Sequence, residues 1–103
     1  MKNMYINPNE NESTSRRYDK LSLESLKSHI TYRELLQTGG KFLLSCGIEE
    51  GDSNSYLLME YVFGFDKAWL ILNYNKEVKE KEKIEKYLFL LNERSKRIPL
   101  QHL

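Results

Sequence analysis

The sequence has few of the residues from which small extracellular and metal-binding domains are built. Its 103 residues include one cysteine and two histidines. A single cysteine excludes an internal disulfide framework, and so few thiols and imidazoles argue against a zinc site. No apolar run approaches the roughly 18 residues that a membrane span needs, and no signal-peptide pattern opens the chain. These absences predict a cytoplasmic protein that does not enter a membrane.

The chain also lacks an excess of charge of either sign. Its 16 Lys and Arg residues nearly balance its 15 Asp and Glu residues, and the net charge is +1. Basic and acidic residues are interleaved, so no basic patch indicates nucleic-acid binding. A hydrophobic share of 40% supports one small core, and a chain of this length forms one domain at most. We expect a monomer that binds no nucleic acid.

Apolar residues are scarce before residue 31. Residues 1–20 are rich in Asn, Glu, Ser and Arg and cannot bury enough surface to offset the entropy of ordering. Leu23, Leu26 and Ile30 are spaced as on a helix, but a helix so short is unstable alone. We therefore expect residues 1–30 to form a disordered extension, with at most a short helix over residues 21–30.

The first strong helix pattern begins at Thr31. Thr31 and Glu34 have the spacing of a capping box, in which each side chain binds a backbone amide of the other residue. Gly47 is placed to end this helix. Gly39 lies on the apolar face, where a glycine costs about 1 kcal/mol relative to alanine. Close approach of a second helix is the expected compensation.

Two further elements are predicted in the middle of the chain. Asp52 is expected to cap a second helix, in which residues 56–63 are apolar nearly all round and are predicted to be buried on most sides. Gly64 is expected to end it. Asp66 can cap a third element over residues 67–72, which is too short for periodicity to distinguish helix from strand.

The last quarter of the chain predicts one long helix. It opens with a charge run over residues 76–83, in which Glu77 and Lys81 would form an i, i+4 pair worth about 0.2–0.5 kcal/mol. Pro99 cannot continue the helix, so we expect it to end near Arg97. On the predicted helix Ile84, Tyr87, Leu88, Leu91 and Ser95 share one face, which is the pattern of an amphipathic helix.

Together these elements predict an all-α fold. Short connections between successive helices favour an antiparallel bundle of about four helices, which we place over residues 31–97. The disordered extension precedes this bundle, and an extended tail over residues 98–103 follows it.

No catalytic or metal-binding constellation stands out. His29 and His102 are each isolated, so a structural or solvated role is the simpler interpretation of both. Cys46 lies on the apolar face of the first helix, which favours a buried thiol over a nucleophile. The sequence therefore predicts no catalytic, cofactor-binding or metal-binding residues in this chain.

Two groups of side chains could bind a ligand, but a structural role is the better interpretation of each. Glu49, Glu50 and Asp52 could bind a cation, but they fit a solvated acidic loop with a capping Asp better. Trp69 and Tyr74 could stack against a base, but core packing is favoured. No Gly-x-Gly-x-x-Gly motif is present, so no nucleotide-binding loop is predicted.

Several stretches resemble the N-terminal domain of bacterial release factor glutamine methyltransferases of the PrmC/HemK type. They are Thr31-Tyr-Arg-Glu-Leu-Leu36, Gly47-Ile48, Leu57-Leu58 through Gly64, and Arg94 with Arg97-Ile-Pro-Leu-Gln-His-Leu103. The resemblance covers residues 31–103, and the tail is its most specific part. In that family the tail leads towards the catalytic domain. The resemblance thus implies that an interdomain linker starts at Ile98, Pro99, Leu100, Gln101, His102 and Leu103.

The same resemblance implies a function. Enzymes of that family transfer a methyl group from S-adenosylmethionine to the glutamine of the Gly-Gly-Gln motif in peptide chain release factors. Their catalytic domain carries a glycine-rich cofactor loop and an Asn-Pro-Pro-Tyr motif, and this sequence contains neither. We therefore expect a substrate-recognition domain that binds a release factor weakly, binds no cofactor itself and is inactive alone.

A free-standing helical interaction or regulatory protein is the alternative. The genomic reading frame beyond Leu103 would distinguish the two hypotheses. A downstream strand followed by a glycine-rich loop would favour the methyltransferase domain, whereas a stop with no such region nearby would favour the free-standing protein.

Overall fold

A computed structural model describes residues 21–96 of the chain, and four α-helices account for most of them. They are α1 (Tyr32–Ser45), α2 (Gly51–Phe63), α3 (Lys67–Leu72) and α4 (Lys81–Ser95). Between residues 21 and 96 the only β-type pairing is an isolated antiparallel bridge from Thr31 to Glu77. The predicted all-α fold with four helices is confirmed. The predicted disorder of residues 1–20 and the predicted linker at residues 98–103 lie outside the described residues.

The boundaries of α1 follow the local signals in the sequence. The Glu34 amide donates to Thr31 Oγ1 at 3.1 Å, and the Thr31 amide donates to Glu34 Oε1 at 3.0 Å. This is the predicted capping box. At the other end Gly47 has a φ of +87°, and the amide of the buried Ile48 reaches back to the Leu43 carbonyl at 3.0 Å. The predicted role of Gly47 in ending α1 is confirmed.

Three helices meet at Gly39. A Cβ atom built on this residue would lie 2.8 Å from Ser55 Oγ on α2 and 3.1 Å from Leu91 Cδ1 on α4. Any side chain would therefore separate the helices. The close approach predicted from the glycine on the apolar face of α1 is confirmed.

The start of α2 differs from the prediction. The helix begins at Gly51 with Glu50 as its N-cap, and the Glu50 carbonyl accepts the first helical bond from the Asn54 amide at 2.9 Å. Asp52 is therefore not the cap but lies in the first turn, where its negative charge is still favourable to the helix dipole. Gly64, with a φ of +77°, ends α2 as predicted.

The prediction that α2 is buried on most sides is wrong. α1 and α4 are the helices that pack against it, and the apolar residues that face neither remain accessible. Tyr61 is 66% exposed, and Leu57 is also exposed. α1 and α4 thus cover only part of the apolar surface of α2.

The short element after Gly64 is a helix. Asp66 Oδ1 accepts a hydrogen bond from the Trp69 amide at 2.9 Å, as expected for an N-cap. α3 ends at Leu72, and the side-chain amide of the next residue, Asn73, donates to the Trp69 carbonyl at 2.7 Å. Only Leu70 of the six α3 residues is buried.

The last helix starts later than predicted, at Lys81 instead of near Lys76. The preceding residues are extended because they pair with the start of α1: the Val78 amide donates to the Ile30 carbonyl at 2.9 Å. Val78 is buried by this pairing. The hydrogen bond to Ile30 and the burial of Val78 together stabilise the fold by more than the few tenths of a kcal/mol that an i, i+4 pair of Glu77 and Lys81 would supply.

Residues 21–30 run beside α4, from Asn92 near its end towards Val78 before its start, and contain little helix of their own. The predicted short helix is reduced to one 3-10 turn, Leu23–Ser25. The Asn92 side chain holds the segment by accepting from the Leu21 amide at 3.0 Å and donating to the Leu21 carbonyl at 2.9 Å. The predicted face of α4 is buried except at Ser95, which is half-buried. The core comprises Ile30, Tyr32, Leu35, Leu43, Ile48, Leu58, Met59, Leu70, Val78, Ile84, Tyr87, Leu88, Leu90 and Leu91.

Candidate functional site

One end of the bundle brings together parts of all four helices. The Tyr32 amide at the start of α1 donates to the Lys76 carbonyl at 3.1 Å, and the Arg33 amide donates to the Tyr74 carbonyl at 3.0 Å. These bonds hold the segment between α3 and α4 against the start of α1. As a result the end of α2, Trp69 of α3 and the start of α4 lie around Tyr32.

Four aromatic rings form a cluster at this end. The Phe63 and Phe65 rings stack with centroids 5.8 Å apart, and the Phe65 and Trp69 rings stack at 5.0 Å. The Tyr32 ring lies nearly perpendicular to all three, at centroid distances of 5.7, 5.9 and 5.1 Å. Both arrangements are favourable for aromatic pairs.

The cluster lines an open cavity of about 490 Å³, which we call the aromatic pocket. Gly64, Asp66, Glu80 and Lys83 complete its lining. The Tyr32 hydroxyl donates to Glu80 Oε1 at 3.4 Å, and burial, followed by the nearby Glu80 carboxylate, raises the pKa of the Tyr32 hydroxyl. Lys83 Nζ lies 6.0 Å from the centroid of the Phe63 ring. The pocket thus combines aromatic surface with charges of both signs.

An exposed apolar surface adjoins the pocket. Trp69 is 39% exposed, Ile71 53% and Leu72 82%. These three residues of α3, which we call the α3 face, leave apolar surface accessible on the half of the helix opposite the buried Leu70. Trp69 belongs to both the α3 face and the aromatic pocket, and Leu72 lies one turn after Trp69 on the same side of α3, so the α3 face begins at the edge of the pocket.

The structure separates the residues that the sequence singled out. His29 is exposed, and its Nδ1 lies 3.0 Å from Glu77 Oε2. Cys46 is half-buried at the end of α1, less deeply than predicted, because it follows the last turn of the helix. His102 lies outside the described residues. None of the described members of this group lines the aromatic pocket.

The acidic residues near the start of α2 remain on the surface. Glu49, Glu50 and Asp52 are exposed. Among residues 21–96, no group of three or more His, Cys, Asp and Glu side chains is arranged to hold a metal ion. No helix in that range has the length and apolar character to cross a bilayer.

Sequence reasoning missed the aromatic pocket. The sequence favours core packing for Trp69, but the residue is 39% exposed and packs against Phe65 and Tyr32 at the surface. The run Phe63-Gly-Phe-Asp-Lys-Ala-Trp69 carried part of the signal, because it spaces three aromatic residues around a helix break. Tyr32 is far away in the sequence and joins them only through the backbone pairing described above.

Comparison with known proteins places this architecture in a family. A family model described as the PrmC N-terminal domain matches residues 34–103, which is more than half of the chain. The matched range includes nearly all of α1 and the whole of α2, α3 and α4. No curated protein and no solved structure gives a significant match. The chain belongs to the family of PrmC N-terminal domains.

Proposed function

We propose that this chain is the release-factor-binding domain of a release factor glutamine methyltransferase and that it is not catalytic by itself. Membership of the PrmC N-terminal domain family supports the first part. The second part is supported by the sequence, which contains neither the glycine-rich cofactor loop nor the Asn-Pro-Pro-Tyr motif of such enzymes. On this proposal the chain binds the protein substrate, and S-adenosylmethionine binds elsewhere in the enzyme.

The exposed α3 face is the observation that carries the proposal. Ile71 and Leu72 are more than half exposed, and Trp69 extends the same apolar surface. Grouped apolar side chains on a surface mark sites of protein–protein interaction more often than scattered ones do. Phe89 on α4 is a scattered case, since its helical neighbours at i±3 and i±4 are Glu85, Lys86, Asn92 and Glu93.

The size of this surface limits the affinity. A face of three side chains on a short helix belongs to an interface below about 1,200 Å², which is typical of transient complexes. A net charge of +1 provides little long-range attraction to a partner. We expect the isolated domain to bind a release factor no more tightly than tens of micromolar, about −6 kcal/mol.

Two matched substitutions test the assignment of the α3 face. Leu72→Asp places a charge on it, and Phe89→Asp places the same charge on an exposed position of α4. Both side chains are well exposed, so the fold should tolerate either change. Because burying a leucine contributes about 1.5–3 kcal/mol, Leu72→Asp should weaken release-factor binding about tenfold or more, whereas Phe89→Asp should leave the dissociation constant nearly unchanged.

Equal affinities of the two variants and the wild type would show that the α3 face is not the binding surface. Absence of wild-type binding at about 300 µM release factor would refute the proposed function itself. The free-standing interaction protein would then be the better hypothesis.

A further inference from the structure

We propose that the aromatic pocket receives a basic side chain, arginine or lysine, from the release factor docked on the α3 face. This inference rests on the proposed function and specifies the chemistry of the partner at that site. The ring surfaces, the charges on the rim and the position of the pocket beside α3 support it independently.

The rings provide the first argument. Aromatic faces carry negative electrostatic potential and attract a cation within about 6 Å of the centroid, and indole does so most strongly. Trp69, at the accessible edge of the pocket, is the one tryptophan of the chain. The domain already shows this preference internally, since Lys83 Nζ lies 6.0 Å from the Phe63 centroid. A cavity of about 490 Å³ can admit a long side chain.

The charges on the rim provide the second argument. Asp66 and Glu80 are acidic and Lys83 is basic, so the three ionisable side chains of the rim have a net charge of −1. Neither carboxylate forms an ion pair with another residue in the range 21–96. A cation entering the pocket would therefore meet carboxylates whose charge is not yet neutralised.

The position of the pocket provides the third argument. Trp69 lies on the α3 face and also lines the pocket. A partner whose apolar residues cover Leu72, one turn after Trp69, would hold its neighbouring side chains at the pocket entrance. Apolar docking and capture of a basic side chain can thus occur in a single interface.

A small-molecule titration tests the pocket without a release factor. The probes are N-acetylarginine methylamide and its uncharged analogue N-acetylcitrulline methylamide. Because the chain has one tryptophan, its isotope-labelled form gives one indole N–H signal. This signal should move with the arginine probe at about 50 mM and move much less with the citrulline probe. Equal movement with both probes, or no movement with either, would overturn the inference.

Charge substitutions then test the pocket in the complex. Glu80→Gln should weaken release-factor binding about threefold, and Lys83→Gln should strengthen it by a similar factor, because the two groups act on the same incoming cation with opposite signs. Glu85→Gln, at an exposed position on α4 away from the pocket, is the matched control and should leave the affinity unchanged.

The two proposals fail in different ways. A release factor that binds the wild type but does not distinguish Glu80→Gln and Lys83→Gln from Glu85→Gln would overturn the pocket inference alone. A wild-type domain that binds no release factor would refute the proposed function, and the arginine titration would still decide whether the pocket prefers a cation.

Discussion

The Tyr87 hydroxyl donates a hydrogen bond to Ser55 Oγ across 2.6 Å and so links α4 to α2 inside the core. The direction follows from the partner: the single hydroxyl hydrogen of Ser55 is donated to the Leu36 carbonyl at 2.9 Å, so Ser55 can only accept from Tyr87. Burial raises the pKa of the Tyr87 hydroxyl, which keeps it protonated and able to donate. One polar chain thus connects α1, α2 and α4.

The two ends of this bond should respond unequally to substitution. Tyr87→Phe leaves the Ser55–Leu36 bond intact and should cost about 1 kcal/mol of unfolding free energy. Ser55→Ala leaves the buried Tyr87 hydroxyl without an acceptor and should cost more, about 1–3 kcal/mol. Chemical denaturation measures both values, with Tyr61→Phe as the control because Tyr61 is exposed on α2. A larger loss from Tyr87→Phe than from Ser55→Ala would contradict the assigned direction.

The adjacent glycines of α1 should also behave differently. Replacing either glycine by alanine should stabilise α1 by about 1 kcal/mol, because alanine has the higher helix propensity. At Gly39 the new methyl group would meet Tyr87, Ser55 and Leu91 in the core, and overpacking of about 1–3 kcal/mol should exceed that gain. At Gly40 it would meet the end of the exposed Asp52 side chain, which can move aside.

We therefore expect Gly39→Ala to lower the melting temperature and Gly40→Ala to keep or raise it. Thermal unfolding of the two variants beside the wild type provides the comparison. Stabilisation by both substitutions would show that the helices are not held at the distance described.

Acid should weaken the start of α1. The hydrogen bond from Lys27 Nζ, 2.6 Å away, and then the Thr31 amide lower the pKa of the Glu34 carboxyl below its ordinary value of 4.5. A lowered folded-state pKa means that the unfolded chain binds the proton more readily. The stabilisation is therefore present above about pH 4.5 and is lost as the pH falls through the lower folded-state value.

Glu34→Gln removes this titration but keeps an oxygen for the capping box. Its melting temperature should fall less steeply than that of the wild type below about pH 4.5. Lys27→Gln should show an intermediate slope, because it removes the largest cause of the shift. Parallel curves for wild type and Glu34→Gln would show that the interaction does not influence stability.

The isolated chain should not bind S-adenosylmethionine or methylate a release factor, because its sequence lacks the cofactor loop and the glutamine-holding motif. Titration calorimetry with the cofactor should give no heat of binding beyond dilution. A one-to-one isotherm with micromolar affinity would show that a cofactor site exists in this chain.

Features that depend on neighbours within a few residues could be predicted from the sequence. The capping box of Thr31 and Glu34, the helix-ending glycines Gly47 and Gly64 and the cap at Asp66 are all of this kind. The capping box and the Asp66 cap each rely on a side chain and a backbone amide one turn apart, and the two glycines rely on the positive φ that a residue without a Cβ atom adopts easily. The sequence alone specifies these local features.

Features that depend on distant partners were missed. The late start of α4 follows from the bond between Val78 and Ile30, which no local pattern indicates. The position of Trp69 likewise depends on Tyr32, which the same pairing brings to α3. The aromatic pocket could not be predicted from the sequence, because the pairing of the start of α1 with the segment before α4 brings its residues together.

Chemical-shift titration of the isotope-labelled domain with a peptide chain release factor tests the central claim most directly. We expect the chemical-shift changes to be concentrated on α3 and on the Trp69 indole. Their dependence on release-factor concentration should give a dissociation constant of tens of micromolar or weaker. We also expect little change at residues 46–50, in the loop that joins α1 to α2 at the end of the bundle opposite the aromatic pocket. Resonances that stay fixed at about 300 µM partner, or shifts confined to that loop, would contradict the central claim.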